Sequence, residues 1–219
     1  MKFNGAKRIV LVLMILMGCS FSQTKAQGLV QFIKEQLSIG LKIEGVGSNF
    51  ILSNIPNVKS DMNVGGAFGP YLKLELSKHF ALQEDILFTY KSSKLKQNGV
   101  DGNFQYFGTE VPFYALGQWE TNDKDRFYIG VGPYVAMGLR AKDKIGGVDI
   151  NLYNNDIGNV QSVWNRIEMG MGSLIGYEFK CGLQINASYK IGLTNVLKDN
   201  IGNAKMHTST ASLGLGYHF

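Results

Sequence analysis

Two cysteines, Cys19 and Cys181, are all that the 219 residues contain. If the first 26 residues are a leader, one cysteine remains and no intramolecular disulfide is possible, which excludes a disulfide-stapled secreted scaffold. Histidine is equally scarce: His79, His207 and His218 stand apart, and no Cys or His cluster has metal-ligand spacing, so no metal is expected. The longest apolar run, "IVLVLMILM" from Ile9 to Met17, has nine residues, far short of the roughly 20 that a membrane-spanning helix needs. Glycine is plentiful, but "GVGPY" and "MGMGS" lack the following helix that a phosphate loop or dinucleotide fingerprint requires, and no cofactor is expected. Charge of one sign is lacking too. The formal +5 owes four cations to Lys2, Lys7, Arg8 and Lys25 in the leader; the remainder carries 18 basic against 17 acidic side chains, or +1. Neither a nucleic-acid footprint nor a basic patch for acidic lipids follows from such a balance.

The beginning of the chain carries Lys2, Lys7 and Arg8, then the apolar run, then "TKAQ", in which Thr24 and Ala26 precede a plausible cut before Gln27. This pattern predicts a signal peptide over 1–26. "LMGC" at Leu16 to Cys19 offers a competing reading, a lipoprotein with acylated Cys19. Residues 27–36 form a short periplasmic segment in which Leu29, Phe32 and Ile33 have helix-like spacing, or a flexible lead-in. The remainder, 37–219, suffices for one closed barrel.

What the remainder does have is a period of two. Eight segments fit it: Leu37 to Phe50, Met62 to Leu76, Phe80 to Lys91, Phe104 to Trp119, Phe127 to Arg140, Ile167 to Phe179, Leu183 to Thr194 and Thr208 to Phe219. Each is long enough to cross a bilayer at a tilt, which takes about 9 to 11 residues. "SKH", "ETNDKD" and "KCG" make short connections. The others are longer and polar, the longest running from about Ala141 to Arg166. The predicted fold is an all-β, eight-stranded, antiparallel, up-and-down transmembrane barrel, with periplasmic turns, external loops and both termini in the periplasm of the cell outer membrane.

Alternation alone does not say which face is inside, because a soluble lipocalin-like barrel alternates too. Ionisable residues decide it. Lys42, Glu44, Lys73, Glu75, Asp85, Glu110, Arg140, Glu168, Glu178 and Lys190 share the face opposite the apolar one. Inside a narrow barrel such charges pair with one another; a Lys or Arg turned to lipid at mid-depth costs about 2–4 kcal/mol. Aromatic residues gather near segment ends: Phe80, Trp119, Phe127, Phe179, Tyr217 and Phe219 toward one rim, Phe50, Tyr90, Phe104 and Tyr106 toward the other. Glu84 breaks the pattern, on the lipid face near the short turn.

"LQEDILFTY", "TEVPFYALGQW", "FYIGVGPYVAMGLRA", "GSLIGYEF" and "INASYKIGLTNV" resemble the PorT-like outer-membrane β-barrel proteins of Bacteroidota over nearly the whole remainder, with "VGPY" and "GLTN" the most specific pieces. Glu84 stands where that family usually has proline, and Ser188 where arginine is frequent. The resemblance implies a barrel and a membrane but little chemistry; a named member takes part in secretion and gliding. The end of the chain, "SLGLGYHF", is similar to the signal read by the barrel-assembly machinery, carried here by Ser212, Gly214, Tyr217 and Phe219.

An eight-stranded barrel is just wide enough for its own side chains to fill. The charged set therefore reads first as a salt-bridged core, and alternatively as a proton or small-ion path or a narrow porin-like, solute-binding conduit. "HTS" places His207 and Ser209 on one strand face near the outer rim, a spacing that loosely resembles the lipid A deacylase PagL; without an orienting acid, a lipid A-directed hydrolase stays a secondary reading. In the long loop, Ile150, Leu152, Tyr153 and Trp164 are candidate contacts for a protein partner, or else fold over the barrel mouth. The reading that results is a non-enzymatic barrel with a structural or interaction role, held in outer-membrane lipid and acting through its external loops.

Overall fold

A computed structural model of the chain describes residues 36–97, 100–121, 123–145, 148–153, 164–198 and 203–219. The expected signal peptide over 1–26, the alternative at Cys19 and all of the 27–36 segment but Gln36 lie outside the described residues, as do the side chains of 97, 100–101, 145 and 148–150.

The elements between Leu37 and His218 among the described residues are strands: β1 (Leu37–Ser53), β2 (Val58–Ser77), β3 (Phe80–Asp85), β4 (Leu87–Gln97), β5 (Val100–Glu120), β6 (Arg126–Ile145), β7 (Val148–Asn151), β8 (Ile167–Glu178), β9 (Leu183–Gly192) and β10 (Lys205–His218). Sequence neighbours pair antiparallel, and β1 closes on β10 in register from Gly40↔His218 to Ser53↔Lys205. β3 and β4 are one wall interrupted at Ile86, since both pair with β2 and with β5. β7 is a short flap on β6. The wall thus closes as eight strands, and closure leaves no unpaired backbone edge to face lipid.

Period two sorts the side chains. On β1, Lys42, Glu44, Val46, Ser48 and Phe50 are buried, while Ile39, Leu41 and Ile43 are exposed. On β10, Leu213, Leu215 and Tyr217 face out, and Leu213 is 72% exposed. An apolar exterior around a polar interior is stable only with hydrocarbon outside.

Two expected loops turn out to be strand. β1 and β2 are joined by only 54–57, where Asn54 and Asn57 adopt positive φ as asparagine readily does. β4 and β5 pair out to Gln97↔Val100. Polar residues there continue the ladder, so one flank, built of β2, β4, β5 and β6, is tall, while β8, β9 and β10 are shorter. At the opposite end the turns are tight: Thr121 N–H donates to Asp125 O at 2.8 Å, and Phe179 N–H to Leu183 O at 2.8 Å.

Candidate functional site: the barrel interior and its capped mouth

The interior is a stack of ion pairs. Nearest the tight turns, Lys73 Nζ lies 2.8 Å from Glu178 Oε2, which also accepts from Gln184 Nε2 at 2.8 Å. Arg126 joins Glu75 to this tier, with its guanidinium 3.8 Å from Glu178. Next, Lys42 Nζ donates to Asp85 Oδ2 at 2.6 Å, and Gln83 Nε2 to Asp85 Oδ1 at 2.8 Å. Glu44 accepts from Ser212 Oγ at 3.0 Å, and Ser212 shares a 2.6 Å hydrogen bond with Ser188. At mid-barrel Glu110, fully buried, lies between Lys190 and Lys91. Glu168 accepts from Tyr134 Oη and Thr208 Oγ1 one tier higher. Carboxylates and ammonium groups in so dry a place are retained only when paired and hydrogen-bonded, and breaking one pair costs about 3–5 kcal/mol.

Nine of the ten ionisable residues expected inside are on the inner face; Glu75 among them is only partly buried. Arg140 is not there. A register shift lies between Phe107 and Gly108, where Arg140 and Gly138 face consecutive β5 residues. The extra residue turns Arg140 outward and leaves Ala141 and Asp143 buried instead. Lys91, missed in the sequence because it ends its segment, is the second cation on Glu110. Also missed were the tyrosines. Tyr71, Tyr114, Tyr128 and Tyr134 point inward and are almost fully buried. Space for them comes from glycines on the neighbouring strands: a Cβ at Gly176 would meet the Tyr128 ring, and one at Gly40 the Tyr71 ring.

The loop end is closed by an apolar plug. Leu152, Tyr153, Trp164, Val196 and Leu197 come from connections, and Phe50, Phe104, Ala141 and Met206 from strands; all are buried. Phe104 stacks on Trp164 at 4.7 Å, and Phe50 meets both rings edge-on at 4.9 and 5.5 Å. Asn195 fastens the cap: its Oδ1 accepts from Met206 N–H at 2.9 Å and Leu197 N–H at 3.2 Å. Beneath it a cavity of about 20 Å³, touched by Lys91, Tyr106, Arg166 and Glu168, has room for about one water.

One expectation fails here. Phe50 and Phe104 are not rim aromatics: they occupy even positions of β1 and β5, the inward register of Lys42 and Glu110, and period two carries them into the plug. Of the two readings of the long loop, the one in which it folds over the barrel mouth describes Leu152, Tyr153 and Trp164: all three are buried, because large apolar side chains are less stable in water than in the mouth. The side chain of Ile150 lies outside the described residues.

His207 and Ser209 occupy the outward register of β10, but Ser209 is buried with its Oγ hydrogen-bonded to Tyr189 Oη at 3.0 Å, and His207 Nδ1 has no hydrogen-bond partner. The two are not joined. Ser212 and Gly214 face the interior; Tyr217 and Phe219 are exposed, with rings 5.5 Å apart at the tight-turn end. Glu84 faces outward, half-buried, between Leu72 and Phe113 in register.

No curated protein sequence gives a significant match to the chain. Among solved structures, the chain is similar to the outer membrane protein OprG of Pseudomonas aeruginosa, with 10% identity over 84% of this chain and 97% of that one, at a TM-score of 0.50. It is also similar to Ail, the attachment invasion locus protein of Yersinia pestis (16% identity, 84% and 99% covered, TM-score 0.44), and to Neisserial surface protein A (14%, 83% and 97%, 0.45). The inward charges, the apolar exterior and the closed eight-stranded wall agree with the match of residues 21–198 to the outer membrane protein beta-barrel domain, and the chain belongs to that family.

Proposed function

We propose that this outer-membrane barrel is non-enzymatic and serves as a rigid anchor that presents its loop end to a partner. The observation that carries the reading is the filled interior: tiers of buried ion pairs, inward tyrosines and an aromatic plug occupy the space a conduit would need. A rigid, closed wall positions its connections well, and recognition concentrates on such connections. With Leu152, Tyr153 and Trp164 committed to the plug, the contact surface is the exposed rim of the tall hairpins rather than the loop core. The PorT-like resemblance of the sequence supports a place in a secretion or gliding assembly of Bacteroidota. In this reading the loop end faces outward and both termini are periplasmic, and the terminal aromatic pair serves the barrel-assembly machinery.

The test is conductance of the purified barrel in planar lipid bilayers. No steady openings are expected across the physiological voltage range. Stepwise ohmic openings would overturn the reading in favour of a conduit.

A further inference from the structure

The tall flank carries a feature that neither the filled interior nor the plug uses. Beyond the apolar belt, the outer face of β2, β4, β5 and β6 turns basic. Lys59, Lys94, Arg140 and Lys144 are exposed there, with Lys96 and Lys142 on the same face. The register interleaves them with neutral polar residues: Lys94↔Asn103, Asn103↔Lys144 and Gln105↔Lys142. Asp61 is the carboxylate seen on this face, 3.0 Å from Lys96. Asp101 and Asp149 stand opposite Lys96 and Lys144 in register; even with both included, cations outnumber carboxylates among the described residues of this face. The opposite flank differs. On β1, β8, β9 and β10 the outward cation at this end is Lys205 alone among the described residues.

Directly beneath the basic tier lies an apolar one. Tyr90 and Phe107 are paired in register and exposed, Phe107 is opposite Arg140, and Leu139 adjoins it. The β-bulge that removes Arg140 from the interior is what sets it on this boundary. Apolar rings and stems below and ammonium or guanidinium heads above form the arrangement by which long cationic side chains reach from hydrocarbon to a headgroup layer. Guanidinium groups match phosphate bidentately, and lysines add point charges.

We propose that this flank binds the phosphate groups of anionic lipids in the leaflet around the loop end, fixing the barrel's rotational setting among its lipid neighbours. A soluble polyanion would need the cations but not the aromatic tier below them. Which leaflet supplies the lipid rests on the orientation given under the proposed function; the binding itself does not.

The full-length barrel, refolded in neutral detergent, is titrated with diphosphorylated lipid A and followed by native mass spectrometry. Each surface cation is expected to contribute about fivefold to affinity, so Lys94→Gln, Arg140→Gln and Lys144→Gln together weaken binding about a hundredfold. Lys205→Gln on the other flank leaves it unchanged. All variants should keep wild-type heat modifiability, since the altered groups lie outside the packed interior. Equal binding by the triple variant and the wild type would overturn the proposal. So would inorganic pyrophosphate binding as tightly as lipid A, which would make the flank a receptor for soluble anions. The failure of the orientation alone reads differently: a Lys94→Cys variant in a Cys181→Ser background that no impermeant maleimide reaches in intact cells would reverse the leaflet and leave the titration standing.

Discussion

Glu110 shows how much one side chain holds. It is fully buried between Lys91 and Lys190, from three different strands. Glu110→Gln leaves two buried ammonium groups without a counter-charge and should destabilise the barrel by about 3–5 kcal/mol in urea unfolding from detergent. Adding Lys190→Met to that variant should recover part of the loss, because one of the stranded charges goes with it. An unchanged midpoint in the single variant would mean that the tier is hydrated. Asp125 gives a pH-dependent case outside the wall. Its carboxylate accepts from Lys180 N–H at 2.9 Å and Tyr177 Oη at 2.8 Å, tying the β5–β6 turn to the β8–β9 turn. These bonds, the backbone one first, hold its pKa below the ordinary carboxylate value. Stabilisation from a depressed acid is present above the unfolded pKa and disappears as pH falls through the folded one. Asp125→Ala should therefore lower the temperature of heat-induced mobility change at pH 7 and have no effect near pH 2. A difference that persists at acid pH would assign the effect to packing instead.

Strand by strand, glycine and tyrosine work as a pair between neighbouring strands. Gly176 on β8 leaves the space that the Tyr128 ring of β6 fills. Gly176→Val should drive that ring out of place and prevent formation of the compact, heat-modifiable form. Ser173→Val, three residues away on the lipid face, should assemble normally. If both variants assemble, the interlock is not needed. The alternation that predicted these strands was plain in the sequence because every wall strand has one polar and one apolar side. Its phase beyond a bulge was not. One extra residue in β6 moved Arg140 out and Asp143 in, and no local signal in "AMGLRAKD" announces that shift. The ends of strands were equally hidden: largely polar stretches such as Val58 to Asp61 and Lys94 to Gln97 read as loop, yet they pair because backbone hydrogen bonding does not depend on an apolar face.

The described residues of 38–219 form a closed wall, filled within and capped at one end. Its orientation can be read from the native cysteine, since Cys181 is exposed in the tight turn between β8 and β9. A membrane-impermeant maleimide should leave Cys181 unlabelled in intact cells and label it once the outer membrane is opened, with Cys181→Ser as the blank. Labelling of intact cells would invert the barrel and place the tight turns outside.

Eight strands, their alternation and the sign of each face follow from the order of residues, because the pleat repeats every two residues and a bilayer penalises an outward charge. Nine of the ten candidate lumen residues were legible for the same reason, Arg140 being the exception. Partnership was not. That Glu110 sits between Lys91 and Lys190, or that Trp164 stacks on Phe104 and seals the mouth, joins residues far apart in the chain. Such meetings depend on the stagger of each strand pair around the closure. One residue of bulge or slip changes which side chains share a tier, and only the closed wall sets that stagger.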